Sequence, residues 1–118
     1  MNVLIMGATS RTDRYAYLAL KKLQAHQHTV FGIGLKEETV DGVEIKKGTP
    51  PLTGIDTITL YLNPTNQKPY YDYFVQLKPR RVIFNPGTEN PELEKLLQAN
   101  NIATEEACTL VMLGSGQF

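Results

Sequence analysis

The feature that most constrains the fold is an abrupt passage from a buried strand to a helix within residues 2–23. The run Asn2–Met6 is apolar after its first residue, which is typical of a central strand buried on both faces. Gly7 follows it, and apolar residues recur at helical spacing from Tyr15. Such a helix directs unpaired backbone N–H groups and the positive end of its dipole into the turn. The pattern therefore predicts an anion-binding turn, with a helix N-cap among residues 9–13.

The turn allows two interpretations. Residues 7–14 read Gly-Ala-Thr-Ser-Arg-Thr-Asp-Arg, which is neither a G-x-G-x-x-G fingerprint nor a Walker A loop. It fits an ordinary strand-to-helix turn in which Gly7 serves the backbone and a Ser or Thr caps the helix. Arg11 and Arg14 favour a phosphate site, because both side chains are within reach of an anion held at the turn. The local pattern leaves both interpretations open.

Length and charge limit the classes of protein to which the chain can belong. A chain of 118 residues fits one domain, residues 1–118, which can bury a core without disulfides or a structural metal. The formal net charge is zero, which gives no reason to expect a nucleic acid or a membrane as partner. The distribution is uneven, since residues 1–36 carry +4, residues 37–80 carry −1 and residues 81–118 carry −3. The basic third contains the predicted anion-binding turn.

Cysteine and histidine usage narrows the chemistry. The single cysteine, Cys108, excludes an internal disulfide framework and a zinc cluster, and it is consistent with a reducing cytoplasm. No signal peptide and no run long enough to span a membrane are recognised. The two histidines, His26 and His28, are expected at the surface, before the second strand and opposite the ligand edge. Cys108 is the one candidate nucleophile, although a buried, inert thiol is the alternative.

Strands and helices alternate along the rest of the chain. An aromatic stripe, Tyr70, Tyr73, Phe74 and Leu77, indicates a helix that packs on the sheet, and base stacking is the alternative role. Residues 35–40 are predicted to form a charged loop. Further strands are predicted at 29–33, 43–45, 56–62, 81–84 and 102–104, a helix capped by Asn90 after residue 90, and a short apolar helix or tail at 107–113. The alternation predicts a doubly wound α/β fold with a mainly parallel sheet of five to six strands and helices on both faces.

The predicted fold also predicts where a ligand binds. In doubly wound sheets, ligands lie at the carboxyl ends of the strands, near the point where the strand order reverses. Four turns meet there, and three of them are rich in glycine, proline or asparagine, although such residues also populate ordinary loops. The four turns are residues 7–14, 34–36, 62–64 and 85–89.

These motifs, in this order, resemble those of the small stand-alone coenzyme A-binding proteins. That family has a Rossmann-like fold and is related to the CoA-binding domain of the succinyl-CoA synthetase alpha subunit. The resemblance extends over nearly the whole chain. One turn departs from it: Gly32-Ile33-Gly34 stands where family members often have Val-Asn-Pro. The matching motifs are Gly-Ala-Thr-Ser at 7–10, Arg14-Tyr15, Asn63-Pro64, Pro86-Gly87, Glu89 and Cys108.

The resemblance implies a ligand and a site. The ligand is coenzyme A or an acyl-CoA, with no metal and no evident catalysis. The turn at residues 7–10 would hold the pyrophosphate, with charge supplied by Arg14 and Lys36. The implied ligand-binding residues are Gly7, Ala8, Thr9, Ser10, Arg11, Arg14, Gly34, Lys36, Asn63, Pro64, Asn85, Pro86, Gly87 and Glu89.

Two other functions remain open from the sequence. Met-Gly-Ala-Thr at 6–9 looks like the start of a short-chain dehydrogenase, which would make the protein a small NAD(P)-binding oxidoreductase. Against this, the later fingerprint glycines are missing and Lys36 stands near the place where such enzymes carry an acid. The other alternative is an interaction protein that kept the fold and lost the ligand. In that case an exposed tail through Phe118 could pack on a second copy to form a homodimer.

Overall fold

The computed structural model describes all residues 1–118 and contains one seven-stranded sheet with helices on both faces. The strands are β1 Asn2–Met6, β2 Thr29–Ile33, β3 Glu38–Val40, β4 Val43–Lys46, β5 Thr57–Leu60, β6 Arg81–Phe84 and β7 Ala103–Glu106. The helices are α1 Tyr15–Ala25, α2 Pro64–Gln67, α3 Tyr71–Leu77, α4 Pro91–Ala99 and α5 Thr109–Gly114, with a 3₁₀ turn at Lys68–Tyr70. No helix is long and apolar enough to cross a bilayer.

The strand order places the reversal point at β1. The sheet runs β3-β4-β2-β1-β5-β6-β7, and every neighbouring pair is parallel except β3 and β4. From β1 the chain builds outward first through β2 and then, on the other side, through β5. The carboxyl end of β1, between β2 and β5, is therefore the place where a doubly wound sheet opens a crevice.

Strand β1 is buried on both faces because its side chains alternate between two cores. Val3 and Ile5 pack with apolar residues of α1 and α5, whereas Leu4 and Met6 pack with those of α3 and α4. All four side chains are fully buried. Two helical layers thus cover the strand, which explains why it has no polar face.

The sheet has seven strands where five to six were predicted. Residues 38–40, predicted as part of a charged loop, form the edge strand β3, which pairs with β4 in an antiparallel hairpin. The hairpin turns at Asp41 and Gly42, whose φ angles are +49° and +80°, as the Asp-Gly signal predicts. Only Val40 of β3 is buried, so three residues offer too little alternation for the strand to be recognised from sequence.

The predicted aromatic stripe is divided between the 3₁₀ turn and α3. Tyr73 and Phe74 are buried against the sheet, which confirms their predicted core role. Pro69 lies in the 3₁₀ turn, so the chain enters α3 through two short elements rather than one long helix. Tyr70 precedes α3, and its ring stacks on Phe74 with centroids 6.0 Å apart.

The segment that ends at Phe118 is exposed at residues 114–117, as predicted, but the Phe118 ring itself packs on its own sheet. The ring of Phe118 lies 4.5 Å from the Arg81 guanidinium, which also donates a hydrogen bond of 3.2 Å to the backbone oxygen of Phe118. His28 is half-buried against the same ring, at 5.1 Å between centroids, while His26 is exposed. An aromatic ring over a buried cation stabilises this segment against β6.

Candidate functional site

A cleft of about 690 Å³ opens at the carboxyl ends of β1, β2 and β5. Its walls come from the β1–α1 turn, the β2–β3 loop, the segment from β5 to the 3₁₀ turn, and the turn after β6. This volume falls in the range of small-molecule sites in proteins. Because β1 lies between β2 and β5, the cleft is at the point where the strand order reverses.

Most of the predicted site residues lie in this cleft, and their contact with a ligand stays a prediction. Four do not line it: Asn63, Pro64, Asn85 and Glu89. Those that line it are Gly7, Ala8, Thr9, Ser10, Arg11, Arg14, Gly34, Lys36, Pro86 and Gly87.

The β1–α1 turn is attached to the end of β2. The backbone N–H groups of Gly7 and Ala8 donate to the carbonyl oxygen of Ile33, at 2.8 and 2.9 Å. These two donors are engaged within the protein, so they are not free for a pyrophosphate, contrary to the role implied for the whole turn. Gly7 adopts φ +93°, a conformation that other residues rarely tolerate.

Gly34 allows this close approach between β2 and the turn. A Cβ at Gly34 would overlap the backbone oxygen of Ala8. The Gly34 N–H donates to the Lys46 carbonyl oxygen at 2.9 Å, which holds the loop to β4 as well. The glycine that departs from the family pattern is thus required by the local packing of this chain.

The N-terminus of α1 carries no side-chain cap. Arg14 is the N-cap, with φ −100° and ψ 143°, and its side chain makes no capping hydrogen bond. The prediction of a cap among residues 9–13 is therefore wrong. The helix begins only at Tyr15, and Thr9 Oγ1 accepts the Arg11 N–H within the turn at 3.1 Å.

Several backbone N–H groups of the cleft have no partner within the protein. They belong to cleft-lining residues on both sides of the uncapped helix start: Thr9, Ser10, Tyr15 and Ala16. The first N–H groups of a helix, without a cap, carry the positive end of its dipole. This end of the cleft is therefore suited to a phosphate or another anion.

Three cations line the cleft, and only one of them has no acidic partner. Arg11 pairs with Asp13 at 3.3 Å, and Lys36 pairs with Glu38 at 3.9 Å. Arg14 makes no ion pair. Exposed pairs of this kind contribute about 0–1 kcal/mol each, so all three cations can move to a bound anion.

The sequence indicated the wall formed after β5 only in part, through the turn at residues 62–64. Tyr61, Leu62, Asn66 and Tyr70 line the cleft there. Burial raises the pKa of Tyr61 to about 12, so its phenol is neutral at physiological pH. Tyr61 directly follows β5, and that position at a carboxyl strand end was the available signal.

Asn85 supports the cleft from below. Its side-chain amide donates to Thr59 Oγ1 at 2.6 Å and to the Leu60 carbonyl oxygen at 2.9 Å, and its oxygen accepts the Thr109 N–H at 2.8 Å. Asn85 is only 2% exposed. The polar groups of this side chain are engaged by β5 and α5, which corrects its predicted place in the ligand site.

Two more predicted residues shape turns without lining the cleft. Asn63 caps α2 by accepting the Asn66 N–H at 2.9 Å, and Pro64 is the first residue of that helix. Glu89 accepts the Gly87 N–H at 2.9 Å and so stabilises the turn after β6. Each fixes a backbone segment that the cleft requires.

Buried Gln67 joins two walls of the cleft. Its amide nitrogen donates to the carbonyl oxygens of Leu62 and Thr88, at 2.8 Å each. Its oxygen accepts from the side chain of Asn90 at 2.9 Å. The segment after β5 is thereby held to the turn after β6.

Groups for catalysis are few around the cleft. Cys108 is half-buried at the N-cap of α5 and does not line the cleft. No group of three or more His, Cys, Asp and Glu residues is placed to hold a metal ion. The arrangement is one of unpaired N–H donors and cations beside apolar and aromatic walls.

The chain matches a protein family and several solved structures. A family model described as a CoA binding domain matches residues 1–114. A crystal structure of an uncharacterized protein is 51% identical, with a TM-score of 0.96 over 99% of this chain and 97% of the other. A hypothetical protein from Pyrococcus horikoshii OT3 is 20% identical, with a TM-score of 0.87 over 96% of this chain and 81% of the other. A protein from Thermus thermophilus is 21% identical, with a TM-score of 0.88 over 99% and 90%. The last two likenesses support the fold alone, and no curated protein matches the chain.

Proposed function

The chain belongs to the family of CoA binding domains, and we propose that it binds coenzyme A or an acyl-CoA in the cleft at the carboxyl ends of β1, β2 and β5. The observation that carries this proposal is the set of unpaired N–H groups around the uncapped start of α1. A diphosphate supplies the anionic oxygens that such groups lack.

Arg14 is the residue best placed to strengthen phosphate binding. It lies at the N-cap of α1, lines the cleft and has no acidic partner to leave. A guanidinium offers two parallel donors to phosphate oxygens, and its charge adds to that of the helix dipole. The pyrophosphate therefore lies between Arg14 and the amides of Thr9 and Ser10 in this proposal.

The remaining walls suit the less charged parts of the ligand. Tyr61, Leu62 and Tyr70 form an apolar and aromatic wall of the cleft. Exposed Tyr15 and Leu35 also line the cleft. Such surfaces fit an adenine ring and a pantetheine chain, which bury apolar area when they bind.

We further propose that binding is the whole activity and that no reaction is catalysed. Catalysis of acyl transfer needs a nucleophile or a base at the reacting atom. Glu38 is the only carboxylate that lines the cleft, and no histidine or cysteine lines it. The single cysteine favours a reducing cytoplasm as the compartment in which the protein works. A homodimer is a separate proposal, which a measurement of the mass in solution can test.

Calorimetric titration tests the proposal. CoA, acetyl-CoA, NAD, NADP and ATP are titrated into the wild type, Arg14→Ala and the control Lys95→Ala, which removes an exposed charge on α4 outside the cleft. A charge-assisted hydrogen bond contributes about 1.5–3 kcal/mol, so Arg14→Ala should weaken CoA binding about 10- to 100-fold. Lys95→Ala should bind as the wild type does. Binding of NAD or NADP alone would favour the oxidoreductase, and binding of no ligand would favour an interaction protein.

A further inference from the structure

A carboxylate lies in the cleft beside one of its cations. Lys36 and Glu38 both line the cleft, and their side chains are paired at 3.9 Å. Lys36 lies in the β2–β3 loop, and Glu38 is the first residue of β3. A negative charge in a site built for an anion opposes the ligand, so its presence requires an explanation.

The two members of the pair differ in how firmly they are held. Glu38 begins β3, is in register with Ile45 of β4, and has a side chain only 19% exposed. Lys36 lies in the loop before β3, and its side chain is 75% exposed. The carboxylate is therefore the fixed partner, and the ammonium group on its flexible stem is the one that can move.

The energies allow a phosphate to displace the carboxylate. An ion pair of this length with a mostly exposed lysine contributes little to stability. A phosphomonoester, or a diphosphate bridge taken as a whole, has more negative charge and more acceptor oxygens than one carboxylate, so Lys36 gains by changing partner. A hydroxyl group offers no charge and does not compete.

We propose that Glu38 is an autoinhibitory competitor for Lys36: Lys36 binds a ligand phosphate only after leaving Glu38, which lowers the affinity for that phosphate. The inference rests on the proposed function. CoA carries phosphate in two places, the diphosphate bridge and a phosphomonoester on the ribose. By lowering the affinity, Glu38 thus allows the bound ligand to dissociate and be replaced. The groups at the start of α1 are unchanged.

A double-mutant cycle tests this competition. CoA is titrated into the wild type, Glu38→Gln, Lys36→Met and the double variant. Releasing Lys36 should tighten CoA binding about two- to fivefold in Glu38→Gln, the factor that a surface ion pair is worth. The same substitution in the Lys36→Met background should change the affinity less than twofold. Glu37→Gln is the matched control, since Glu37 is exposed, lies outside the cleft and forms no ion pair.

Dephospho-CoA identifies the phosphate. If Glu38→Gln tightens CoA but not dephospho-CoA, Lys36 binds the phosphomonoester; if it tightens both, Lys36 binds the diphosphate. The proposal is overturned if Glu38→Gln weakens CoA or leaves it unchanged. It is also overturned if the gain persists without Lys36 or matches that of Glu37→Gln. Failure of the wild type to bind CoA would instead overturn the proposed function, and equal thermal midpoints show that the variants fold.

Discussion

Replacing Asn85 with alanine should remove the main buried hydrogen-bond junction beneath the cleft. The side chain joins Thr59 and Leu60 of β5 to Thr109 at the start of α5, through hydrogen bonds of 2.6, 2.9 and 2.8 Å. All three partners are fully buried, so water cannot replace the lost groups without opening the core.

The magnitude follows from the groups left unpaired. A buried donor or acceptor that loses its partner costs about 1–3 kcal/mol. Leu60 loses a donor to its carbonyl oxygen and Thr109 loses its acceptor, which together lower the free energy of unfolding by about 4 kcal/mol. For a domain of this size, that corresponds to a fall of about 15 °C in the melting temperature.

Urea denaturation followed by circular dichroism measures the effect, with Asn100→Ala as the control. Asn100 also donates a side-chain hydrogen bond, of 2.8 Å to Leu96, but on the exposed surface. Its replacement should cost less than about 1 kcal/mol. An equal and small loss in both variants would refute the assignment of Asn85 to the structural support of the fold.

Asn85→Asp separates hydrogen bonding from side-chain volume. The aspartate keeps an acceptor for the Thr109 N–H and brings a carboxyl into a dry site, where it offers one donor when protonated and none when ionised. Burial raises the pKa of such a carboxyl above its unfolded value, so its neutral form is favoured by folding. The stability of this variant should therefore fall as the pH rises through the titration of the carboxyl, whereas Asn85→Ala should show no such dependence.

Gly34→Ala and Tyr61→Phe test the packing and the electrostatics of the cleft, with Gly114→Ala as a control. Gly34→Ala places a Cβ against the backbone oxygen of Ala8. It should lower the free energy of unfolding by about 2 kcal/mol and weaken CoA binding, as measured by urea denaturation and calorimetry. Gly114→Ala, whose Cβ would meet only Lys22 Nζ at 3.6 Å, should be neutral or stabilising, and equal losses in both glycine variants would contradict the steric argument. Because burial raises the pKa of Tyr61 to about 12, its contribution to stability is full below about pH 10 and is lost as the pH rises toward 12. Relative to Tyr61→Phe, the wild type should lose about 1 kcal/mol of stability between about pH 9 and 11 in urea denaturation, and a constant difference would refute the assignment.

Local patterns predicted the elements whose causes lie within a few residues. The apolar run of β1 needs two covering layers, so it implied a buried central strand before any other element was known. Asn90 and Pro91 predicted the start of α4, and the Asn90 side chain does accept the Leu93 N–H at 3.2 Å. In each case the interacting groups are close in sequence, which is why periodicity and capping residues reveal them.

The cleft itself was predicted only in outline. The rule that ligands lie at carboxyl strand ends directed attention to the turns after β1, β2, β5 and β6, and residues of all four line it. The orientation of individual groups escaped prediction. The Thr9 hydroxyl accepts the Arg11 N–H and does not cap α1. The Asn85 side chain is bonded within the core, where its oxygen accepts the Thr109 N–H, and does not line the cleft.

The sequence by itself determined the doubly wound layering, most of the strands and the location of the β1–α1 turn, because these depend on short-range alternation and on turn residues. Tertiary structure alone decided which N–H groups stay free and which polar side chains are engaged. The Ile33 carbonyl oxygen accepts the N–H groups of Gly7 and Ala8, and the Asn85 side chain forms hydrogen bonds with groups 24 to 26 residues away in the chain. A hydrogen bond of that kind depends on which strands become neighbours, and no local pattern contains that information.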